Sequence, residues 1–323
     1  MLDLVLLFVP FFALVLMGWG AARRGLLPLE GIGALNTFVL FFGLPAMVFR
    51  LSASGALQQS GLLSLLLAYG LAGGLMVVLA LAWAVHAGLS RRDGGLVALV
   101  TAFPNTGFLG LPLLTSLLGA KAAGPVAATL VIDVLVLSSL CLAWAHSRAE
   151  NGAHDDAWHA LRASLMGALR NPLLWSMALG LLASVAGMTM PHAVDETLRL
   201  LSLSASPAAL FTLGAILARA QMVPSPHASL PGGRIALWAV LKLAAHPAAV
   251  WLFAQGLSAW GVAVPTDGLI TLMLAAALPS ASNVSMLAER EGANTALVAR
   301  IILWTTAAAL VSITAWAHGL QIR

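Results

Sequence analysis

Charge is what this sequence has least of. Asp, Glu, Lys and Arg make up 9% of its 323 residues, against roughly 25% in soluble domains. A chain so poor in charge cannot clothe a globule in polar surface, which excludes a soluble domain of any size. Cysteine is nearly absent too. The single Cys141 rules out an internal disulfide and any cysteine-built metal site. No glycine-rich phosphate loop ending in Lys-Ser or Lys-Thr occurs. Linker-like and low-complexity stretches are missing, apart from one polar stretch near the middle.

What fills the chain instead is apolar sequence, at 60% of all residues. Runs of this kind are solvated by lipid, and a span needs roughly 20 residues. The pattern predicts spans near 4–22, 33–51, 61–86, 94–118, 122–145, 172–189, 199–218, 234–256, 267–287 and 293–318. Leu4 to Ala22 lacks the basic leader and small-residue cleavage site of a signal peptide, and Arg23-Arg24 follow it. It reads as a true first span. The net charge of +4 gathers at span ends, which points to membrane topology and not to nucleic acid. The ten Trp are scattered, many near span ends, as interfacial anchors are.

Basic residues set orientation. Arg23, Arg24, Arg91, Arg92, Arg148, Arg162, Arg170, Arg219, Arg234 and Arg290 fall on one side. Arg50, Lys121, Arg199 and Arg323 fall on the other. The richer side is expected to be cytoplasmic, with both termini outside. The polar stretch divides the chain into a first unit (1–146), a cytoplasmic loop (147–171) and a second unit (172–323). Five spans per unit is an odd number, so successive units insert with opposite orientation, as in the inverted repeats of secondary transporters. A short echo supports this: Pro45-Ala46-Met47-Val48-Phe49 and Pro207-Ala208-Ala209-Leu210-Phe211 lie on the second span of each unit.

The fourth and ninth spans carry a stronger echo. Phe103-Pro104-Asn105-Thr106-Gly107-Phe108-Leu109-Gly110-Leu111-Pro112 and Leu278-Pro279-Ser280-Ala281-Ser282-Asn283 each place Pro and Asn at membrane depth. A mid-helix Pro removes one hydrogen bond and blocks a carbonyl of the previous turn. In lipid the freed groups need protein, water or ligand as partners. A broken helix also presents N–H groups and a partial positive charge, which suit an anion. An ordinary kink with an Asn packing against a neighbour is the plainer reading of either motif alone. Their occurrence in corresponding spans carries the functional one.

With Leu44-Pro45, Leu241-Lys242-Leu243 and Pro247 added to these motifs, the chain resembles a bacterial member of the auxin efflux carrier family. That family includes plant auxin carriers and bacterial malonate or malate carriers. The resemblance covers essentially the whole chain. It implies an all-α integral membrane protein of ten transmembrane helices in two inverted five-helix repeats, with helices four and nine broken where they cross. It also implies a substrate site beside that crossing. The long hydrophilic loop of plant members is absent, so control through that loop is not implied.

Asp133 and Lys242 lie deep inside spans and Arg300 nearer a span end. Each charge at depth costs about 2.5–3.5 kcal/mol on insertion scales and needs a partner or a water path. His246 follows Lys242 by one helical turn. These residues form either a proton relay, a support for the crossing helices, or a structural ion pair. Asp267 and Glu289 read as solvated span ends. Asp155-Asp156 with His154 lack a second acidic motif, and Gly256-Leu257-Ser258-Ala259 is an incomplete nucleophile string, so no enzyme chemistry is expected.

The sequence therefore predicts a secondary carrier that moves small organic anions, carboxylates such as malonate, malate or auxin-like acids, by alternating access. Asn105, Asn283 and the backbone around Thr106, Gly107, Ser280 and Ala281 would receive the substrate. Pro104 and Pro279 would hold the breaks open. The alternative is a sodium- or proton-coupled carrier of a neighbouring inverted-repeat family, which usually needs acids at the crossing; none stands beside Asn105 or Asn283 in the sequence. No cofactor or metal is expected. The expected partners are the lipid of a bacterial inner membrane and a second copy of the chain.

Overall fold

The computed structural model describes residues 2–58, 60–147, 171–222 and 231–322, with the single positions 162, 166 and 169. Arg148, Arg170, Arg323, most of the 147–171 loop and the Pro224-Ser225-Pro226 turn lie outside the described residues. Every regular element among the described residues is helical. In chain order they are α1 (Leu2–Arg23), α2 (Gly31–Ala53), α3 (Leu62–His86), α4 (Arg91–Ala102), α5 (Thr106–Leu118), α6 (Ala120–His146), α7 (Pro172–Val185), α8 (His192–Met222), α9 (Gly232–Ala259), α10 (Thr266–Ala276), α11 (Asn283–Arg290) and α12 (Thr295–Gly319).

Six of these, α2, α3, α6, α8, α9 and α12, are long and apolar enough to cross a membrane. Outer faces across the bundle stay apolar: Leu16, Leu63, Val78, Leu182 and Val311 are all more than half exposed. Such a surface is matched to lipid.

Starts follow local chemistry. Ser90 caps α4, its hydroxyl accepting the Asp93 N–H at 3.1 Å. Asn171 caps α7 ahead of Pro172, and Asn294 caps α12. Each supplies an oxygen to an N–H that the helix leaves unpaired. Inside the helices, wide π turns occupy Val39–Gly43, Thr106–Gly110 and Leu241–Ala245. Pro45, Pro112 and Pro247 come two residues after these turns. A proline ring pushes away the carbonyl four residues back, and the wider turn absorbs the displacement. The fourth π turn, Ile132–Leu137, holds Asp133, whose carbonyl accepts both the N–H and the hydroxyl of Ser138.

The helices sort into two groups. In one, α1 packs on α8, α7 on α2, and α2 on α8. In the other, α3 packs on α4 and α9, α6 on α4, α10 on α9, and α12 on α9 and α11. The first group is welded by glycines. A Cβ on Gly18 would lie 1.9 Å from the Phe211 carbonyl oxygen, and one on Gly214 would lie 1.8 Å from that of Val15. On the other pair, a Cβ on Gly180 would meet the Phe49 carbonyl oxygen at 2.5 Å.

Charged pairs collect at two ends. Arg50 with Asp195 and Lys121 with Asp267 (2.7 Å) each pair an acid with a basic residue of the basic-poor side. Near Arg219 and Arg290 of the basic-rich set, Arg219 pairs with Glu289 (3.6 Å), His146 with Glu291 (3.0 Å), and the Asn294 N–H donates to Asp93 (2.7 Å). Asp267 and Glu289 are exposed helix-end residues, as expected.

Candidate functional site

Two helices stop abruptly in the interior. After α4 the chain extends at Phe103 (φ −91°, ψ 106°), the backbone forced on a residue that precedes proline. It resumes as α5 at Thr106. After α10 the chain is irregular from Ala277 to Ser282 and resumes as α11 at Asn283. Pro104 and Pro279 occupy the two interruptions.

The interruptions lie side by side and antiparallel. The Asn105 N–H donates to the Pro279 carbonyl at 2.8 Å, and the Ala281 N–H donates to the Phe103 carbonyl at 2.9 Å. Pro104 and Ser280 stand opposite one another between these bonds. Ser280 donates its N–H to the Thr305 hydroxyl at 3.1 Å. Most of the broken backbone is thus satisfied by protein, the condition for non-helical chain at membrane depth.

A cavity of about 260 Å³ opens against this crossing. One wall carries Phe103, Pro104, Asn105, Gly107, Phe108, Ala281 and Asn283. Leu130 and Val134 of α6 adjoin it. The facing wall comes from the other helical group: Leu40, Phe41 and Leu44 of α2, with Asn171, Pro172 and Leu173 at the head of α7. Among the described residues no charged side chain lines the cavity. Asn105 Nδ2 and Asn283 Oδ1 are buried without hydrogen-bond partners. A buried polar atom left unpaired costs about 1–3 kcal/mol, so these two atoms favour a ligand that pairs with them.

The predicted residues divide here. Asn105, Gly107, Ala281, Asn283 and Pro104 line the cavity; Thr106, Ser280 and Pro279 do not. The expected set of substrate-receiving N–H groups needs correction. Thr106 gives its N–H to the Pro104 carbonyl at 2.8 Å, and Ser280 and Ala281 give theirs to Thr305 and Phe103. One bond within the first break, one to α12 and one between the two breaks have consumed them. Of the four, only the Gly107 N–H has no backbone acceptor among the described residues.

Behind the crossing lies a buried polar cluster. Asp133 accepts from the Tyr69 hydroxyl at 2.8 Å and from the Thr106 hydroxyl at 3.4 Å. Lys242 donates to the Ala276 carbonyl at 2.5 Å and lies 3.4 Å from His246 Nδ1. The Tyr69 and His246 rings are 5.6 Å apart between centroids. Asp133 therefore sits at the N-terminus of α5 and Lys242 at the C-terminus of α10, each complementing its helix dipole. No direct Asp133–Lys242 ion pair forms among the described residues; the ring contact of Tyr69 with His246 links them instead. Contact with Thr106 also corrects the expectation that no acid stands at the crossing. Asp133 reaches it from α6, 28 positions away from Asn105 in sequence.

Sequence reasoning missed Tyr69 and Asn171. Tyr69 is the only tyrosine in the chain, set in an otherwise apolar span. Asn171-Pro172 has the cap-then-proline signature of a helix start, which marked its place but not its neighbours.

Comparison with known proteins agrees with this architecture. Residues 4–317 match the family described as Membrane transport protein. The chain is 27% identical over 332 residues to the "Putative malonate transporter" of Rhizobium meliloti, covering 97% of this chain and 95% of that protein. It is 23% identical to the "Uncharacterized transporter YfdV" of Escherichia coli K12, covering 87% and 86% of the two chains. An "Uncharacterized transporter" of Methanothermobacter thermautotrophicus is 26% identical, with 94% of each chain covered. The chain belongs to this auxin efflux carrier-like membrane transport family, and it is an integral membrane transporter, not an enzyme.

Proposed function

We propose that the protein is a secondary active carrier of small organic anions, carboxylates such as malonate, malate or auxin-like acids, with its substrate site at the crossing. The observation that carries this reading is the pair of unpartnered amide atoms, Asn105 Nδ2 and Asn283 Oδ1, beside a cavity of small-molecule size. Asn105 Nδ2 and the Gly107 N–H at the head of α5 are donors for a carboxylate. The apolar remainder of the lining suits the carbon skeleton. The name of the Rhizobium relative supports the same substrate class.

Ten spans arranged as two inverted repeats, 1–146 and 172–323, account for the pattern of packing. Raising each partner by one repeat converts the α1–α8 contact into the α7–α2 contact. The α1, α2, α7 and α8 group acts as the scaffold, and the group that bears the crossing moves against it. The basic-rich end faces the cytoplasm of a bacterial inner membrane, so both termini lie outside. The scaffold group is the surface through which two copies pair.

Inward movement of a monoanion against 100 mV, inside negative, costs about 2.3 kcal/mol. Import therefore needs a co-transported cation or a steep gradient. Asp133 favours proton coupling, because its carboxylate touches the first residue of α5. His246 and Lys242 complete the relay or hold the crossing in place.

Proteoliposomes test the reading. Malonate, malate, lactate, benzoate and indole-acetate are supplied at two pH values, and current or labelled uptake is recorded. Transport of one or more acids, lost in both Asn105→Ala and Asn283→Ala, is expected. Folded protein that moves none of them, by current or by exchange, overturns it.

A further inference from the structure

We propose that Asn171 is a specificity-determining residue, which binds the second polar end of the substrate and makes the carrier prefer dicarboxylates to monocarboxylates. The inference rests on the anion-carrier reading and deepens it.

Asn171 stands at the head of α7 and lines the cavity together with Pro172 and Leu173. Its Oδ1 accepts the Leu173 N–H at 3.0 Å. That bond fixes the amide and engages its acceptor. The NH2 group, with two donors, is the part the helix cap does not use. Around it the same wall is apolar, built from Leu40, Phe41 and Leu44.

The cavity thus has two polar poles. One is the crossing, with Asn105, Asn283 and the Gly107 N–H. The other is Asn171, carried by the opposite helical group. Leu130, Val134 and the α2 side chains lie around them. A monocarboxylate satisfies the crossing and leaves its apolar end against the facing wall. A dicarboxylate bound the same way brings a second anionic group to that wall. Desolvated against leucine and phenylalanine, that group is strongly disfavoured. With the Asn171 NH2 beside it, it gains a charge-assisted hydrogen bond. Because the poles ride on different helical groups, a substrate that engages both also draws the groups together, which couples recognition to closure.

The test must separate this role from capping. Serine and aspartate both keep a cap oxygen at the head of α7. Asn171→Ser removes the amide donors, and Asn171→Asp replaces them with a like charge. The KM values for malonate and propionate, acids of equal carbon number, are measured in proteoliposomes for wild type and both variants. The expected result is a rise in the malonate-to-propionate KM ratio of roughly 10- to 100-fold in Asn171→Ser, the worth of one hydrogen bond to a charged group. A larger rise is expected in Asn171→Asp. If both KM values move together, or neither moves, Asn171 serves only as a cap and the proposal is overturned while the carrier reading stands. If the wild type carries neither acid nor any other carboxylate, the carrier reading falls, and this proposal with it.

Discussion

Gly18 lies against the backbone carbonyl of Phe211, leaving no room for even a methyl group between α1 and α8. Gly180 meets the Phe49 carbonyl between α7 and α2 in the same manner. Each glycine precedes the phenylalanine of its own unit by 31 positions. The contacts are therefore exchanged between the two units, each glycine reaching the other unit's phenylalanine. Phe49 and Phe211 also end the two Pro-Ala-x-x-Phe strings. Gly18→Ala is expected to destabilise the protein by at least about 1–3 kcal/mol, the usual cost of overpacking. Gly20→Ala is the control, because a Cβ there meets nothing within 4 Å. Thermal unfolding in detergent should show a lowered Tm for Gly18→Ala alone; equal Tm values would mean that α1 and α8 can part without cost.

Asn105 and Asn283 line the cavity, and each carries a buried amide atom without a hydrogen-bond partner. Replacing either with alanine removes an orphaned polar atom, so stability should hold or rise slightly. Transport should fall at the same time, by about tenfold or more in kcat/KM, as one hydrogen bond to a charged substrate is lost. This opposition between stability and activity distinguishes a binding residue from a packing residue. A matched loss of Tm and transport would assign both Asn residues to helix packing.

The positions of the breaks were legible in the sequence, because Pro104 and Pro279 announce them and proline acts locally. So were the exposed helix ends at Asp267 and Glu289. What the sequence did not disclose are contacts between distant segments. Asp133 lies against Thr106 from another helix, and Asn171 enters the cavity from the other helical group. Nor does sequence say which N–H groups survive pairing. Thr106, Ser280 and Ala281 were expected to receive substrate, yet their N–H groups are spent on Pro104, Thr305 and Phe103.

Lys242 closes the C-terminal end of α10 through the Ala276 carbonyl. Lys242→Met keeps an apolar chain of similar length but leaves that carbonyl unpaired. A loss of about 1–3 kcal/mol is expected, read as a lower Tm. Lys242→Arg retains the donors and should recover part of it. Unchanged Tm in Lys242→Met would show that the carbonyl finds another donor.

Asp133 bears on coupling. If it carries the proton, an inward pH gradient should accelerate anion uptake in the wild type, and Asp133→Asn should abolish that acceleration. Asparagine still accepts a bond from Tyr69, so the fold should survive. Counterflow exchange without any gradient reports on the binding site alone and should persist in Asp133→Asn. Equal responses of variant and wild type to the gradient would remove Asp133 from the coupling path and leave it the role of holding α5.

Orientation is open to direct chemistry, because the only cysteine, Cys141, is buried. In a Cys141→Ala background, Lys121→Cys and Arg290→Cys place single thiols at exposed positions on opposite ends of the molecule. A membrane-impermeant maleimide applied to whole spheroplasts should label the thiol at position 121 and spare the one at 290 until the membrane is opened. The excess of arginine at the 290 end dictates this outcome, since positively charged flanks are retained in the cytoplasm. The reverse labelling would invert the protein in the membrane. It would also place the ion pairs Arg50 with Asp195 and Lys121 with Asp267 on the cytoplasmic face. Labelling of both thiols before opening would mean instead that the two ends do not lie across a bilayer from one another, and the ten-span arrangement itself would fail.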